Sequence, residues 1–171
     1  GSPVIYSTGN IMVNNVNGIA NNSEIGVVEG KNSITLTNSN VTGYKDNGFM
    51  LYQSFSGDAE SGIARLKAAA DSRWGKTGEN GSHLTLRASN QELSGNIMAD
   101  SISTIALNMT NESSLVGAVN TDNTDKEVTV KLSKDSSWTL TGDSYVKSLT
   151  NEDTTGENIH LNGYKLVVAD K

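Results

Sequence analysis

L-T-L-R-A-S-N-Q-E-L-S-G, from Leu84 to Gly95, is the phrase on which the reading of this chain turns. It returns as I-A-L-N-M-T-N-E-S-S-L-V-G from Ile105 to Gly117, and as V-T-V-K-L-S-K-D-S-S-W-T-L-T-G from Val128 to Gly142. A fainter copy, I-T-L-T-N-S-N-V-T-G, runs from Ile34 to Gly43. Each copy is an alternating apolar strand, a turn of Ser, Asn or Asp, a second short apolar strand and a Gly. Strict alternation is the period of a β-strand, and a repeat of roughly 20–25 residues is the period of a solenoid. The expected fold class is therefore all-β: a right-handed parallel β-helix with about three short sheets per coil and about six to seven coils. Residues 1–171 read as one domain, with an irregular region at about residues 53–83.

Upstream of the phrase, short strands alternate with turn signals. Ile11 and Val13 precede Asn17-Gly18, a pair that favours the positive φ of a tight turn. Residues 44–83 break the rhythm. The dense apolar run F-M-L-Y (49–52) is followed by Q-S-F-S-G-D-A-E-S-G, and I-A-R-L-K-A-A-A (63–70) is the one stretch with good helix propensity. It is too short to stand alone as a helix and reads equally as a strand. An irregular insertion in a regular solenoid is where function concentrates. Downstream, Asp100-Ser101-Ile102 and Asp143-Ser144-Tyr145 read as one phase of successive coils. The last strand, Tyr164 to Val168, ends in charge and reads as a cap against edge pairing.

Composition narrows the possibilities. The chain has 171 residues and no Cys, so it can form neither a disulfide framework nor a thiolate metal site. Hydrophobic residues are 35% and aromatic residues 5%, thin for a globular core but sufficient where each coil buries one small inward row. A net charge of -6 argues against nucleic acid or an anionic membrane as partner. It also means that an acidic polymer would need a bridging divalent cation. No apolar run approaches the roughly 18 residues of a membrane span. The opening Gly1-Ser2 reads as an expression scar, and no secretory signal follows it.

Several residues are candidates for chemistry. Trp138 and Leu140 alternate on one strand, which assigns both to the core. Trp74, beside Arg73 and Lys76, is the candidate sugar platform: an exposed aromatic next to cations stacks on a pyranose and holds a carboxylate. Asp58 and Glu60, and Asp122 and Asp125 with Asn120 and Asn123, are candidate ligands for Ca²⁺, a cation that takes about six to eight oxygens. Loop acids are more commonly only solvated. His83 and His160 have no His or Cys at ligand spacing, so zinc is not expected. No catalytic residue is assigned. Asn38, Asn90 and Asn111 occupy one place in successive phrases, and stacked Asn side chains at left-handed turns read as fold residues.

Y-S-T-G-N-I (6–11), V-E-G-K-N-S-I-T-L-T-N-S (28–39), M-L-Y-Q-S-F-S-G-D-A (50–59), L-S-G-N-I-M-A-D-S-I-S-T (93–104) and S-S-W-T-L-T-G-D-S-Y-V-K-S-L-T-N (136–151) resemble adhesin-like, carbohydrate-binding right-handed parallel β-helix proteins of gut and anaerobic bacteria, distant pectate-lyase-like solenoids. That resemblance implies an extracellular or cell-surface monomer that binds polysaccharide or mediates adhesion without catalysis, often with Ca²⁺. The alternatives it leaves open are a Ca²⁺-dependent polysaccharide lyase or degenerate relative, and a purely structural surface stalk. In that family more solenoid separates the S-G-D-A phrase from the R-W-G phrase than Glu60 to Ser72 here, as if one or two coils were missing.

Overall fold

A computed structural model describes residues 4–7, 9–21, 25–28, 31–43, 47–51 and 83–170, with 31 and 47–51 described by their backbone. They form a parallel β-solenoid of about five turns. The first coil holds β1 (Ile5–Ser7), β2 (Ile11–Asn14) and β3 (Asn17–Ile19). The second holds β4 (Gly26–Val28), β5 (Lys31–Thr37) and β6 (Asn40–Thr42), and the third β7 (Asn47–Leu51), β8 (His83–Ser89) and β9 (Glu92–Ser94). The fourth holds β10 (Asn96–Ala99), β11 (Thr104–Thr110) and β12 (Ser114–Val116). The fifth opens with a single bridge, Val119 to Ile97, and continues through β13 (Val128–Leu132) and β14 (Ser137–Thr139). The last holds β15 (Ser144–Val146), β16 (Ser148–Asn151) and β17 (Ile159–His160), and β18 (Leu166–Val168) closes on β15.

Three faces result, as the repeat predicts. The first carries β1-β4-β7-β10 and, further along the axis, β15-β18. The second is the long sheet, β2-β5-β8-β11-β13-β16, and the third carries β3-β6 and β9-β12-β14-β17. The six rungs of the long sheet span about five turns, fewer than the six to seven coils that the repeat leads one to expect. On the second face β5 pairs directly with β8, and on the first β7 pairs directly with β10.

Register is set by inward rows. On the long sheet Ile11, Ile34, Leu86, Leu107, Val130 and Leu149 stand opposite one another from rung to rung. Ile34, Leu86 and Leu107 are fully buried. A slip of one residue would turn the whole row to solvent. On the third face Leu93, Leu115, Trp138 and Ile159 form the matching row. Trp138 is buried, as its alternation with Leu140 predicts, and its indole Nε1–H donates to the Gly117 carbonyl at 3.0 Å. Gly117 has a steric reason to be glycine: a Cβ there would sit 2.0 Å from the Gly95 carbonyl oxygen.

Two phase assignments from the sequence need correction. Thr139 stands opposite Val116, so Leu140 falls at the level of Gly117, and Gly142 comes two residues later. The third phrase has a longer strand end, which the shared terminal Gly conceals. Asp100 and Asp143 also differ in phase. Asp100 follows β10, whereas Asp143 precedes β15 on the same face of the solenoid.

The corner between the second and third faces is built by Asn. Asn15, Asn38, Asn90 and Asn111 all have φ between 44° and 56°, the left-handed region that Asn tolerates through local hydrogen bonding. Asn38 Nδ2 donates to Asn15 Oδ1 at 2.7 Å, and Asn111 Nδ2 donates to Ser89 Oγ at 2.8 Å. Beyond this corner lies a second, buried polar row. Val16 N–H donates to Ser39 Oγ, Ser39 N–H to Gln91 Oε1, Gln91 N–H to Ser113 Oγ, and Ser113 N–H to Ser136 Oγ, at 2.8–3.2 Å. Each rung's orphan amide is thereby satisfied by the next rung's side chain, as burial of a backbone donor requires.

Candidate functional site

Two described turns, 100–103 in the fourth coil and 120–127 in the fifth, connect the first face to the second across the corner between them. The two acid-bearing turns of coils four and five are consequently neighbours along the axis. Asp100 Oδ1 accepts from Ser103 Oγ at 2.6 Å and from the Ile102 amide at 3.3 Å. Asp125 Oδ1 accepts from the Glu127 amide at 2.8 Å, while its Oδ2 is buried with no hydrogen-bond partner.

Asp122 and Asp125, the candidate Ca²⁺ ligands of this loop, differ in burial. Asp122 is exposed, whereas Asp125 is only 2% exposed. Asn120 spends its amide on the loop itself: Nδ2 donates to the Asp125 carbonyl at 2.6 Å, and Oδ1 accepts from the Asp125 amide at 3.1 Å. Asn123 Oδ1 accepts from Lys126 Nζ at 3.2 Å. Among the described residues no three His, Cys, Asp or Glu side chains converge as a metal site would need. Asp58, Glu60, Arg73, Trp74 and Lys76 lie outside the described residues.

Burial, and then the nearby Asp100 carboxylate, push the Asp125 pKa up to about 6, partly opposed by the Glu127 amide. The ordinary value, 3.8, applies in the unfolded chain. The folded state therefore binds the proton more tightly. Its contribution is fully present below about pH 4 and is lost as pH rises through about 6. Asp125 should make the fold less stable at pH 7.5 than at pH 4.5, an effect on the order of 2–3 kcal/mol at most. Asp125→Asn should flatten that slope in chemical denaturation at the two pH values. A slope equal to that of the parent chain would mean that another group titrates.

Beside this corner lies the outer face of the long sheet. Two side-chain rows run along it in register. One is Ser33, Thr85, Ala106, Thr129 and Ser148; the other is Thr35, Arg87, Asn108, Lys131 and Thr150. Arg87 and Lys131 are exposed, with Asn108 half-buried between them. At the corner end, a shallow groove of about 610 Å³ is lined by residues including Asn10, Ser33, His83, Arg87, Thr104 and Glu127. His83 Nδ1 lies 3.0 Å from Thr104 Oγ1, and Asn10 Oδ1 accepts from the Ser33 amide at 2.8 Å. Glu127 is engaged by Lys147 Nζ at 3.0 Å across the surface. The sequence reading weighs His83 only as a zinc ligand and assigns Arg87 to no site. That the two open on one groove follows from the register of β8 against β11, and the outward alternation of His83, Thr85 and Arg87 with buried Leu84 and Leu86 was the signal available for it.

The chain matches no known family model, no curated protein and no solved structure.

Proposed function

We propose that this chain is a non-catalytic, extracellular or cell-surface module that binds a polysaccharide along the outer face of its long sheet. The support is the row that runs through Arg87, Asn108 and Lys131, with the hydroxyl-bearing row beside it. Strands in a sheet repeat every ~4.8 Å, so hydroxyl, amide and cationic donors recur at short, even intervals along the axis. A linear polymer laid on that face meets many weak contacts of one kind, and avidity makes up for what each contact lacks. Arg87 and Lys131 favour carboxylate-bearing sugars locally, while the overall charge of -6 opposes an acidic polymer. A divalent cation such as Ca²⁺ would relieve that opposition.

Gel retardation in acidic and in neutral polysaccharides, each with Ca²⁺ and with chelator, tests the proposal. Retention by the parent chain is expected, with affinity at least about tenfold weaker for Arg87→Ala combined with Lys131→Ala, since hydrogen bonds to charged groups contribute about 1.5–3 kcal/mol each. Both residues are exposed, so the fold should survive the change. Retention unaffected by the double change would remove the assignment to this face. Absence of retention in every condition would favour a structural stalk, and unsaturated products would favour a lyase.

A further inference from the structure

The long sheet differs from the rest of the chain in charge. The chain carries 19 acidic residues against 13 Lys and Arg, yet β2, β5, β8, β11, β13 and β16 contain no Asp or Glu. They do contain Lys31, His83, Arg87 and Lys131. Glu127, which immediately precedes β13, is held by Lys147 Nζ at 3.0 Å. The three central rungs also alternate in chemistry. β8 presents Thr85 and Arg87, β11 presents Ala106 and Asn108, and β13 presents Thr129 and Lys131. Register sets Thr85, Ala106 and Thr129 opposite one another, and Arg87, Asn108 and Lys131 likewise. A hydroxyl with a cation thus recurs on every second rung, and a methyl with an amide stands between. Two strand spacings, about 9–10 Å, separate the two cationic rungs. Arg87 and Lys131 are exposed and make no ion pair among the described residues. Thr35 and Thr150 continue the row with hydroxyls on either side.

Resting on the polysaccharide reading above, we infer that this face selects an extended polymer with an anionic group on every second sugar and a neutral sugar between. One pyranose of an extended chain is about as long as one rung spacing, so a disaccharide spans two rungs. Its anionic groups then meet Arg87 and Lys131. Asn108 offers a donor and an acceptor to the hydroxyl or amide of the neutral sugar. A polymer charged on every sugar sets an anion against Asn108, where no cation answers it. Such a polymer also meets more repulsion from a chain of net charge -6. The order of the side chains along the row, not their total charge, makes the choice.

Affinity gel retardation at fixed ionic strength, with chelator and again with Ca²⁺, reads the result on three probes. Hyaluronate carries its carboxylates on alternate sugars, polygalacturonate on every sugar, and dextran is neutral. Hyaluronate should be bound with chelator present, at least about fivefold more tightly than either of the others. Two variants keep the net charge and move one cation. Lys131→Thr with Asn108→Lys sets the cations on adjacent rungs, and Lys131→Thr with Thr150→Lys sets them three rungs apart. Each should bind hyaluronate at least about fivefold more weakly than the parent. Circular dichroism checks the fold, and the second variant changes exposed positions only. Equal retention of the parent and both variants overturns the spacing and leaves a polysaccharide-binding face. Preference for polygalacturonate or dextran does the same. Retention that requires Ca²⁺ overturns the direct contact with Arg87 and Lys131. Absence of retention in every condition overturns the inference together with the reading on which it rests.

Discussion

Trp138→Ala is expected to cost about 3–5 kcal/mol, read from urea or guanidinium unfolding of parent and variant. Trp138 is the largest fully buried side chain among the described residues and fills the third-face row between Leu115 and Ile159. Truncation leaves a cavity that the stacked rungs cannot readily close, because their main chains are held by inter-rung hydrogen bonds. It also strands the Gly117 carbonyl, which loses the indole donor. Trp138→Phe separates the two contributions. It keeps most of the apolar volume while removing the hydrogen bond, so it should cost clearly less than the Ala change but more than nothing. A Trp138→Ala loss below about 1 kcal/mol would contradict its burial.

Leu140→Ala is expected to cost about 2–5 kcal/mol by the same measurement. Leu140 is fully buried and its amide donates to the His160 carbonyl at 2.9 Å. The amide bond survives the substitution, so the loss reports the side chain alone. A value below about 1 kcal/mol would mean that residue 140 turns away from the core.

The stacking of this chain was legible in its sequence because two periods, one nested in the other, each have a single physical cause. Alternation along Leu84 to Ala88 reflects the pleat, and recurrence of that alternation at Ile105 and Val128 reflects the coil. The left-handed Asn corner was equally legible, since few other residues tolerate that backbone. What escaped was the buried polar row that follows this corner. Ser39, Gln91, Ser113 and Ser136 differ in size and type, and what they share is a bond to the rung before, which no single phrase reveals. The shift of Gly142 escaped because a Gly two residues late still looks like a terminator. The burial of Asp125 escaped for a different reason: charge on a loop suggests solvent, and only the stacking of two successive turns brings the field of Asp100 to bear on it. The groove at Arg87 needed the register of β8 with β11, a property of two rungs together.

The connection from the first face to the second takes four residues in the fourth coil, 100–103, and eight in the fifth, 120–127, while β11 and β13 beyond it stay in register. Elongation of the chain at that corner is thus uncoupled from elongation of the rod. Closing a longer loop costs little, since the entropy grows only with the logarithm of its length. Residues can be gained, lost or replaced there without shifting the rungs above and below. The molecule behaves as a ruler: its axial spacing is fixed by stacking, and what it carries beside that axis is free to vary.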